Sequence, residues 1–441
     1  MLFNNHGKEI PMKFSMFNVW SIDDNDSLLL YNTLSGAVSV FDIRPKVILT
    51  ALEQSNVSLI PRKYVTAMTE DGYLVEALTD ELQRITKLVE ERKSRVDEYA
   101  ISIILNLKCN FKCIYCFEHQ TGKEISSPRI RGVVELFERI SRTAKKIEID
   151  WFGGEPLLSF GLLKKINDQF MEIAKRKNLK YSHSITTNGY LLTEDKVQYL
   201  SRTPVSSVIV TLDGTEVSHD ASRPLKNGKP THAVIVGNVK RAVDAGLHVV
   251  VRMNLIKLNK ECVIEMIQTL ENLGLKNRVE LSLQAVVSSE ENPCEGICLK
   301  GEERANAILD AYLYAVQNGW RSFPATEKLR VLSLCIGEYP GRMIISLDGS
   351  VFRCSQADKE SKVGKVSLSG TVAFDNVSNS SWVNSNPLND EKCKRCAFIP
   401  LCMGGCRLKR MRNKEDYCLD WVRNTKKFLQ LLVRNESLAL K

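Results

Sequence analysis

Three cysteines follow a short β-branched run and are spaced Cys109-x3-Cys113-x2-Cys116. Three thiolates at this spacing can hold three irons of a 4Fe–4S cube within one loop, and the fourth iron is then free to take a small molecule. A zinc site is the alternative, because zinc normally takes four ligands and His119 could supply the fourth. The residues alone leave both interpretations open.

A second group of cysteines lies in the C-terminal part of the chain. Its order is Cys335-x13-Gly349-x4-Cys354, then Cys393-x2-Cys396-x5-Cys402-x3-Cys406-x11-Cys418. A zinc ribbon is again an alternative, for the C-x2-C-x5-C-x3-C part. The chain has 13 cysteines, an odd number in two groups, so metal ligands are a better interpretation than a disulfide scaffold.

The next β-branched run after the first cysteines ends in a glycine-rich turn, Trp151-Phe-Gly153-Gly154-Glu155-Pro156. Glycines allow a ligand to approach the backbone closely, and carbonyl oxygens together with a Glu155 carboxylate can accept hydrogen bonds from an ammonium group. By itself the pattern is an ordinary strand–helix turn.

The composition limits the class of protein. At about 150 residues per domain, 441 residues predict roughly three domains. The 44% hydrophobic and 26% charged content excludes a mainly disordered chain. Apolar stretches are too short to span a membrane, and no signal peptide is evident. We therefore expect a cytoplasmic protein without a membrane partner, and a net charge of +9 is too mild to indicate nucleic acid.

The first 98 residues predict a small α+β unit, which we expect to be winged-helix-like. Phe14–Trp20 and Ser27–Asp42 alternate like strands, Lys46–Gln54 and Arg62–Met68 have helical patterns, and Asp80 is an expected N-cap for the helix Glu81–Arg95.

From residue 99 to residue 290, strands alternate with helices. The predicted strands are Ala100–Leu107, Lys146–Phe152, Tyr181–Thr187, Val205–Leu212, His248–Leu255 and Val279–Ala285. The predicted helices lie near 128–143, 156–177, 194–201, 234–245 and 260–273. This alternation predicts an α/β fold, a partial (β/α)6 TIM-like barrel with its chemistry at the C-terminal ends of the strands.

The remaining chain divides into a bridging segment, 291–334, and a cysteine-rich region, 335–441. Helices are expected at Glu302–Gln317 and from about Tyr417 to Leu438. The tail is too small for a large core of its own, so we expect metal to hold it.

The cysteine loop, with Tyr115 before its last cysteine, resembles the cluster loop of radical SAM enzymes, and the turn resembles their GGEP turn. The resemblance implies that Cys109, Cys113 and Cys116 are the catalytic cluster ligands. It also implies that S-adenosylmethionine (SAM) is bound at the turn by its amino group. Reductive cleavage of SAM would give a 5′-deoxyadenosyl radical that abstracts a hydrogen atom. The implied cofactor-binding residues of loop and turn are Tyr115, Gly153, Gly154, Glu155 and Pro156.

Two later strand ends extend the resemblance. Ile185-Thr-Thr-Asn188-Gly189 resembles the family's TNG segment. Val210-Thr211-Leu-Asp213-Gly214 with His219-Asp220-x2-Arg223 resembles the SLDG…HDxxR segment of its peptide-modifying branch. The family precedent puts Asn188 and Thr211 near the SAM ribose and Arg252 near the methionine carboxylate. Each can equally be a polar residue at a barrel rim.

The second group resembles the seven-cysteine SPASM domain, which implies two auxiliary 4Fe–4S clusters and three clusters in all. Cys393, Cys396, Cys402 and Cys418 would bind the distal cluster. The proximal cluster would be bound by Cys335, Cys354 and Cys406. Its fourth ligand would be Cys298, Cys294 or none, which leaves an iron open to a substrate thiolate.

The N-terminal region, Phe17-Asn18…Leu30-Tyr-Asn-Thr-Leu-Ser-Gly36, looks like the opening of enzymes that cross-link ribosomally made peptides. The resemblance implies a precursor peptide whose leader docks by strand addition at the Leu28–Phe41 hairpin, and an external flavodoxin- or ferredoxin-like electron donor. Thioether formation of the sactipeptide or ranthipeptide type is our first expectation. A carbon–carbon cross-link is the second, and formylglycine formation the third, because Ser355 replaces the Asp that follows the corresponding cysteine in sulfatase maturases.

Two interpretations from other classes remain. An iron–sulfur sensor whose N-terminal domain binds DNA would need a basic recognition helix, whereas Lys46–Gln54 is largely apolar. An RNA-modifying radical SAM enzyme would bind RNA with a steep salt dependence, but no RNA-binding module is evident. The basic run Arg407–Lys414 is either a solvated face or an attractor of an acidic leader.

Overall fold

The N-terminal region contains the predicted hairpin strands and three helices, together with short strands that were not predicted. The computed structural model describes residues 2–3, 9–42, 46–287, 296–321, 334–412 and 417–439. The strands are β1 Leu2–Phe3, β2 Glu9–Ile10, β3 Met12–Phe14, β4 Asn18–Ile22, β5 Ser27–Asn32, β6 Val38–Asp42 and β7 Leu74–Glu76. The helices are α1 Val47–Glu53, α2 Arg62–Glu70 and α3 Glu81–Lys93. The Asp80 carboxylate accepts from the Gln83 backbone N–H, so Asp80 caps α3 as expected.

The strands β4, β5 and β6 form an antiparallel sheet that is covered on both faces. Successive side chains of a strand point to opposite faces. Leu28 and Leu30 of β5 therefore pack in one core with α1 and α2, whereas Leu29 and Tyr31 pack in another with Phe428 near the C-terminus. The N-terminal unit is thus fixed against the C-terminal region rather than hanging free.

Six parallel strands, each paired with the next along the chain, form the centre of the molecule. They are β8 Glu98–Asn106, β9 Lys146–Gly153, β10 Lys180–Thr187, β11 Val205–Thr211, β12 Val249–Leu255 and β13 Val279–Ala285. The helices that follow them are α4 Ser127–Ile140, α5 Phe160–Lys177, α6 Glu194–Leu200, α7 Glu216–Ser222, α8 His232–Asp244 and α9 Val263–Asn272. The predicted α/β fold is confirmed. The short helix α7, in the HDxxR segment, was missed.

Alternate residues on these strands face two different environments. On β9, Ile147, Ile149 and Trp151 are completely or almost completely buried in the core against the helices. The intervening Asp150 and Phe152 are only half-buried. The same alternation occurs on β12, where Arg252 is half-buried between buried valine and methionine side chains. We call the space on this half-buried side of the strands the lumen.

The C-terminal region adds strands to the same sheet. After α10 (Gly301–Gln317), β14 (Arg342–Ile345) pairs in parallel with β8, and three antiparallel strands continue the sheet. These are β15 Ser350–Phe352, β16 Gly364–Val366 and β17 Val372–Phe374, which complete a ten-stranded mixed sheet. The short helices are α11 Asn376–Val383, α12 Glu391–Lys394, α13 Ile399–Cys402 and α14 Arg407–Met411, and the last is α15 Thr425–Ala439.

The tail shares the main core, because Val351 and Trp382 pack into the same cluster as the central strands, and the expectation that metal also holds it stays a prediction. The last helix begins at Thr425 and not near Tyr417, since the Asn424 side chain accepts from the Lys427 N–H and acts as an N-cap. No helix within the described ranges is long and apolar enough to cross a membrane.

Candidate active site

The first three cysteines lie in one loop that leaves the C-terminal end of β8. Burial raises the pKa of the thiols of Cys109, Cys113 and Cys116, for Cys113 to about 12. The Cys116 thiolate raises the pKa of the other two further, and the Arg223 charge lowers the pKa of all three. The loop thus brings three thiols together and faces them with one buried cation.

Arg223 also organises the middle of the loop. Its Nη1 donates to the Tyr115 hydroxyl at 2.5 Å and lies 3.7 Å from the Asp213 carboxylate. The Tyr115 hydroxyl donates to Asp213 and accepts from Asn254 Nδ2 at 3.1 Å. Burial raises the pKa of Tyr115 well above its usual value, so its hydroxyl remains protonated. Sequence reasoning quoted Asp213 and Arg223 as motif residues but did not predict this contact with Tyr115.

His219 holds Asp213 from the other side. The Asp213 backbone N–H donates to His219 Nδ1 at 3.0 Å, so the ring proton belongs on Nε2, which lies 3.1 Å from Thr231 Oγ1. Burial lowers the pKa of His219 to about 2, which keeps the ring neutral. The HDxxR segment therefore supports the cysteine loop through Asp213 and Arg223.

The glycines of the turn allow it to dock on the cysteine loop. The Gly154 N–H donates to the Asn106 carbonyl at 3.0 Å, and the Glu155 N–H donates to the Lys108 carbonyl at 2.7 Å. A Cβ at Gly153 would be 2.3 Å from the Asn106 oxygen, and one at Gly154 would be 2.2 Å from the Lys108 oxygen. The turn thus needs glycine to contact the loop. Pro156 begins a short 3-10 helix directly after it.

The expectation that the Glu155 carboxylate accepts from a ligand ammonium group was wrong. Glu155 is completely buried, and its carboxylate already accepts from the Leu157 N–H, the Thr187 hydroxyl and the Asn188 N–H at 2.7–2.9 Å. A carboxylate buried in this position must satisfy its oxygens within the protein, so it joins the turn to the end of β10. The Glu155 carbonyl accepts from Asn106 Nδ2 at 3.0 Å, so the candidates for contact with an ammonium group are the carbonyls of Gly153 and Gly154.

The other three predicted cofactor residues lie on, or directly after, three neighbouring strands. Asn188 Nδ2 donates to Asn110 Oδ1 at 2.8 Å and lies 3.9 Å from Cys109 Sγ, so Asn188 contacts the cysteine loop directly. Thr211 pairs in register with Arg252 on the adjacent strand. The Arg252 Nε is buried and has no hydrogen-bond partner among the described residues. The unpaired Nε–H of this guanidinium can donate to the carboxylate of a bound amino acid.

The later cysteines interact electrostatically within two sets, and their assignment to auxiliary clusters stays a prediction. Burial raises the pKa of Cys335 and of Cys354, the latter to about 11, and the charge of Cys406 raises both further. In the other set, burial raises the pKa of Cys402 to about 12, and the charges of Cys418, Cys396 and Cys393 add to the effect.

Cys298 is buried and disulfide-bonded. A disulfide sulfur offers no thiolate, so its assignment to the proximal cluster stays a prediction that requires reduction of that bond. Cys294 lies outside the described residues.

These donor sets fit iron–sulfur clusters. Each contains thiols only, the ligand type that such clusters take. Within the described ranges, no three His, Cys, Asp or Glu side chains are arranged as ligands of a single metal ion. The first set offers three thiols to a cluster, and Arg252 on β12 would supply a cation to a carboxylate-bearing ligand.

The basic run after Cys406 is mainly structural, in contrast to both interpretations from sequence. Arg410 is almost buried and forms an ion pair with the fully buried Glu338 at 3.1 Å. Arg407 donates to the Ser381 carbonyl at 2.5 Å, and Arg412 pairs with Asp358. Asn413 and Lys414 lie outside the described residues.

A family model described as the radical SAM superfamily matches residues 103–270. This segment includes the cysteine loop, the glycine turn and the Arg223 network. The chain contains a radical SAM domain. The match begins in β8 and ends in α9, so the radical SAM domain coincides with the predicted barrel except for its last strand.

Curated relatives extend the likeness at lower identity. The radical SAM cyclopropyl synthase TigE of Paramaledivibacter caminithermalis is 25% identical over 46% of this chain and 50% of its own length. A cysteine-type anaerobic sulfatase-maturating enzyme of Clostridium novyi is 25% identical over 70% of this chain and 86% of its own length. The chain thus spans half of the cyclopropyl synthase, and 41% of the uncharacterised protein MJ0907 of Methanocaldococcus jannaschii.

Two solved structures share the fold. Native anSMEcpe with bound AdoMet and a Kp18Cys peptide aligns with a TM-score of 0.62 at 20% identity, over 78% of this chain and all of its own. Streptococcus suis SuiB bound to its precursor peptide SuiA aligns with a TM-score of 0.54 at 13% identity, over 94% of this chain and all of its own. At these identities the likeness demonstrates the radical SAM fold alone.

Proposed function

We propose that this radical SAM enzyme modifies a ribosomally synthesised precursor peptide and forms thioether links from its cysteines. The observation that supports the proposal is the presence of two further thiol sets in the same chain, together with half-buried polar side chains on the lumen side of β9 and β12. When bound, SAM and the reduced cluster supply an adenosyl radical able to remove a hydrogen atom from an unactivated carbon.

The chain's own residues would hold and orient these groups. Cys109, Cys113 and Cys116 bind three irons, and the buried Arg223 favours their thiolate forms. The backbone of Gly153 and Gly154 accepts from the ammonium group of SAM, and Pro156 fixes the end of the turn. The remaining cofactor contacts are Tyr115 beside the cluster, Asn188 and Thr211 at the ribose, and Arg252 at the carboxylate.

In this proposal, Glu155 has a structural role and does not contact the cofactor. It joins the turn to β10 and thereby positions Asn188.

The two later thiol sets bind auxiliary 4Fe–4S clusters. Cys335, Cys354 and Cys406, with Cys298 if it is reduced, hold the proximal cluster. The distal cluster is held by Cys393, Cys396, Cys402 and Cys418. Oxidative bond formation leaves a surplus electron, and a cluster near the lumen is a suitable acceptor. An external flavodoxin- or ferredoxin-like protein supplies electrons to the radical SAM cluster.

The N-terminal unit binds the leader of the precursor. Strand β6 pairs only with β5 among the described residues, so its outer edge can accept an added strand. Val40, in the middle of β6, is half exposed. The solved SuiB–SuiA complex supports a peptide partner for a chain of this fold.

Two other products have specific support. Likeness to the cyclopropyl synthase favours a carbon–carbon bond. Likeness to the sulfatase maturases favours formylglycine formation, against which Ser355 stands in the position after Cys354. A thioether remains our first proposal because the chain carries two auxiliary thiol sets.

The test is anaerobic co-expression with the short cysteine-containing peptide encoded beside the enzyme. Intact masses are compared before and after thiol alkylation. Loss of two hydrogens per link, with cysteines that no longer react, is the expected result. The same loss with every thiol reactive would replace the thioether by a carbon–carbon bond. An unchanged mass despite deoxyadenosine release would contradict oxidative cross-linking of that peptide.

A further inference from the structure

A carboxylate lies inside the lumen, below the proposed SAM site. Asp150 is on the half-buried side of β9, and its oxygens accept from the Ser102 hydroxyl at 2.9 Å and the Ser184 hydroxyl at 3.1 Å. A strand rises about 3.3 Å per residue, so Asp150 lies about 10 Å along β9 from Gly153. A carboxylate has about four acceptor positions, and two of those on Asp150 are taken by hydroxyl groups.

The other nearby carboxylates are already engaged. Glu155 accepts three hydrogen bonds from the turn and β10. Asp213 is fully buried between Tyr115, Arg223 and the Asn254 N–H. Two residues before Asp150, Glu148 forms an ion pair with Lys146 at 2.7 Å. Asp150 forms no ion pair within 4 Å in the described part of the chain, and it is therefore the carboxylate best able to bind a group in the lumen.

Arg342 connects Asp150 with the proximal thiols. This residue begins β14, which the C-terminal region adds beside β8, and its Nη2 donates to the Ser102 hydroxyl at 2.9 Å. A continuous hydrogen-bonded path therefore runs from Arg342 through Ser102 to Asp150. The charge of Arg342 also interacts with Asp150 on one side and with Cys354 and Cys335 on the other. Its Nε is buried and without a hydrogen-bond partner among the described residues.

The surroundings of Asp150 suit a proton acceptor. Burial raises the pKa of its carboxyl, while the Ser102 hydrogen bond and the charges of Arg342 and Arg252 oppose the rise. A base whose pKa is raised towards the working pH transfers protons more effectively than an exposed carboxylate.

We propose that Asp150 accepts the proton that the peptide loses when its new bond forms, and that Arg342 is the positioning residue that joins Asp150 to the proximal thiol set. This inference rests on the proposed function. In the thioether case, the acceptor carbon loses a hydrogen atom to the adenosyl radical, and the cysteine S–H gives its proton to Asp150. The S–C bond then forms, and the one remaining electron reduces an oxidised auxiliary 4Fe–4S cluster.

The first test compares Asp150→Asn with the matched control Glu148→Gln, both in the reconstituted full-length enzyme. A precursor peptide deuterated at the acceptor carbon is used. In Asp150→Asn, deuterium should still enter deoxyadenosine at near the wild-type rate, whereas cross-linked product should fall about 10²–10⁴-fold. SAM affinity and the cluster spectra should remain unchanged. Glu148→Gln should keep both activities.

The outcomes separate the two proposals. Product formation by Asp150→Asn at the wild-type rate would overturn the role of Asp150 and leave the proposed function intact. Failure of the wild-type enzyme to alter the peptide would overturn the proposed function and this inference with it.

A second measurement does not depend on turnover or on the folding of the Asp150 variant. The midpoint potential of the proximal auxiliary cluster is titrated by EPR in Arg342→Gln and Arg342→Lys. Loss of the positive charge disfavours the more negative, reduced cluster, so Arg342→Gln should shift the potential to a lower value while Arg342→Lys retains it. An unchanged potential in Arg342→Gln would overturn the link to the proximal thiols.

Discussion

Arg223 donates a hydrogen bond to the Tyr115 hydroxyl at 2.5 Å, and that hydroxyl in turn donates to the buried Asp213. This contact ties the HDxxR segment after β11 to the loop that follows β8. Since Tyr115 lies between Cys113 and Cys116, the geometry of the cysteine loop depends on a segment about a hundred residues later in the chain.

Tyr115→Phe should weaken this connection without changing the shape of the side chain. The variant removes one donor to Asp213 and leaves Arg223 and Asn254 without their shared acceptor. Leaving buried polar groups unsatisfied costs about 1–3 kcal/mol, so we expect a loss of that size in the free energy of unfolding, and lower iron content after reconstitution. Denaturant unfolding and iron analysis measure both. In Tyr64→Phe, the matched control, a hydroxyl with no hydrogen bond among the described residues is removed, and wild-type behaviour is expected. Equal effects in the two variants would contradict the role of the network.

Gly154→Ala should separate the glycine turn from the cysteine loop. The added Cβ would be 2.2 Å from the Lys108 carbonyl oxygen, which belongs to the backbone and cannot rotate away. We expect SAM binding, measured by equilibrium dialysis, to be lost or greatly weakened. Gly161→Ala is the control, because a Cβ there meets nothing within 4 Å. Gly161→Ala should leave the free energy of unfolding unchanged or raise it by up to about 1 kcal/mol, because alanine favours a helix more than glycine does. Normal SAM binding by Gly154→Ala would rule out this docking.

Arg410→Met tests the structural interpretation of the basic run. Arg410 pairs with the fully buried Glu338, whose carboxylate would be left without its cation. Removal of one partner of a buried ion pair typically costs about 3–5 kcal/mol, which denaturant unfolding measures. The exposed pair Lys394–Glu391 provides the control, and Lys394→Met should cost at most about 1 kcal/mol. If Arg410→Met instead weakened only precursor binding, the run would be an electrostatic docking site.

The buried side chain of His183 should make the folded protein less stable in mild acid. Burial lowers its pKa from 6.5 to about 4, so between these values the unfolded chain binds the proton and the folded chain does not. The stabilisation is complete above pH 6.5 and is lost as the pH falls towards 4, by up to about 3 kcal/mol. His183→Gln should flatten this part of the curve of unfolding free energy against pH. Identical curves for His183→Gln and the wild-type protein would contradict the assignment.

Local chemistry in the sequence predicted much of the molecule. Strand and helix periodicity predicted the α/β fold. The resemblance to the SPASM domain, and not cysteine spacing alone, indicated that Cys335, Cys354 and Cys406 would belong to one set. Contacts between distant segments were not predictable. The pairing of β14 with β8 depends on Gly341, where a Cβ would be 2.0 Å from the Glu98 carbonyl oxygen. The inward orientation of Glu155 depends on hydrogen bonds from Thr187 and Asn188, at the end of β10. No local sequence pattern indicates that the hydrogen bonds of a charged side chain are made within the protein.

The most direct test of the account is reductive SAM cleavage by the reconstituted protein, measured as 5′-deoxyadenosine under anaerobic conditions. Wild-type protein and Cys262→Ala, which removes a thiol outside the three sets, should both release deoxyadenosine. Cys113→Ala should release none, because the loop then lacks one of its three ligands. Continued release by Cys113→Ala at the wild-type rate would contradict the assignment of this loop as the radical SAM site.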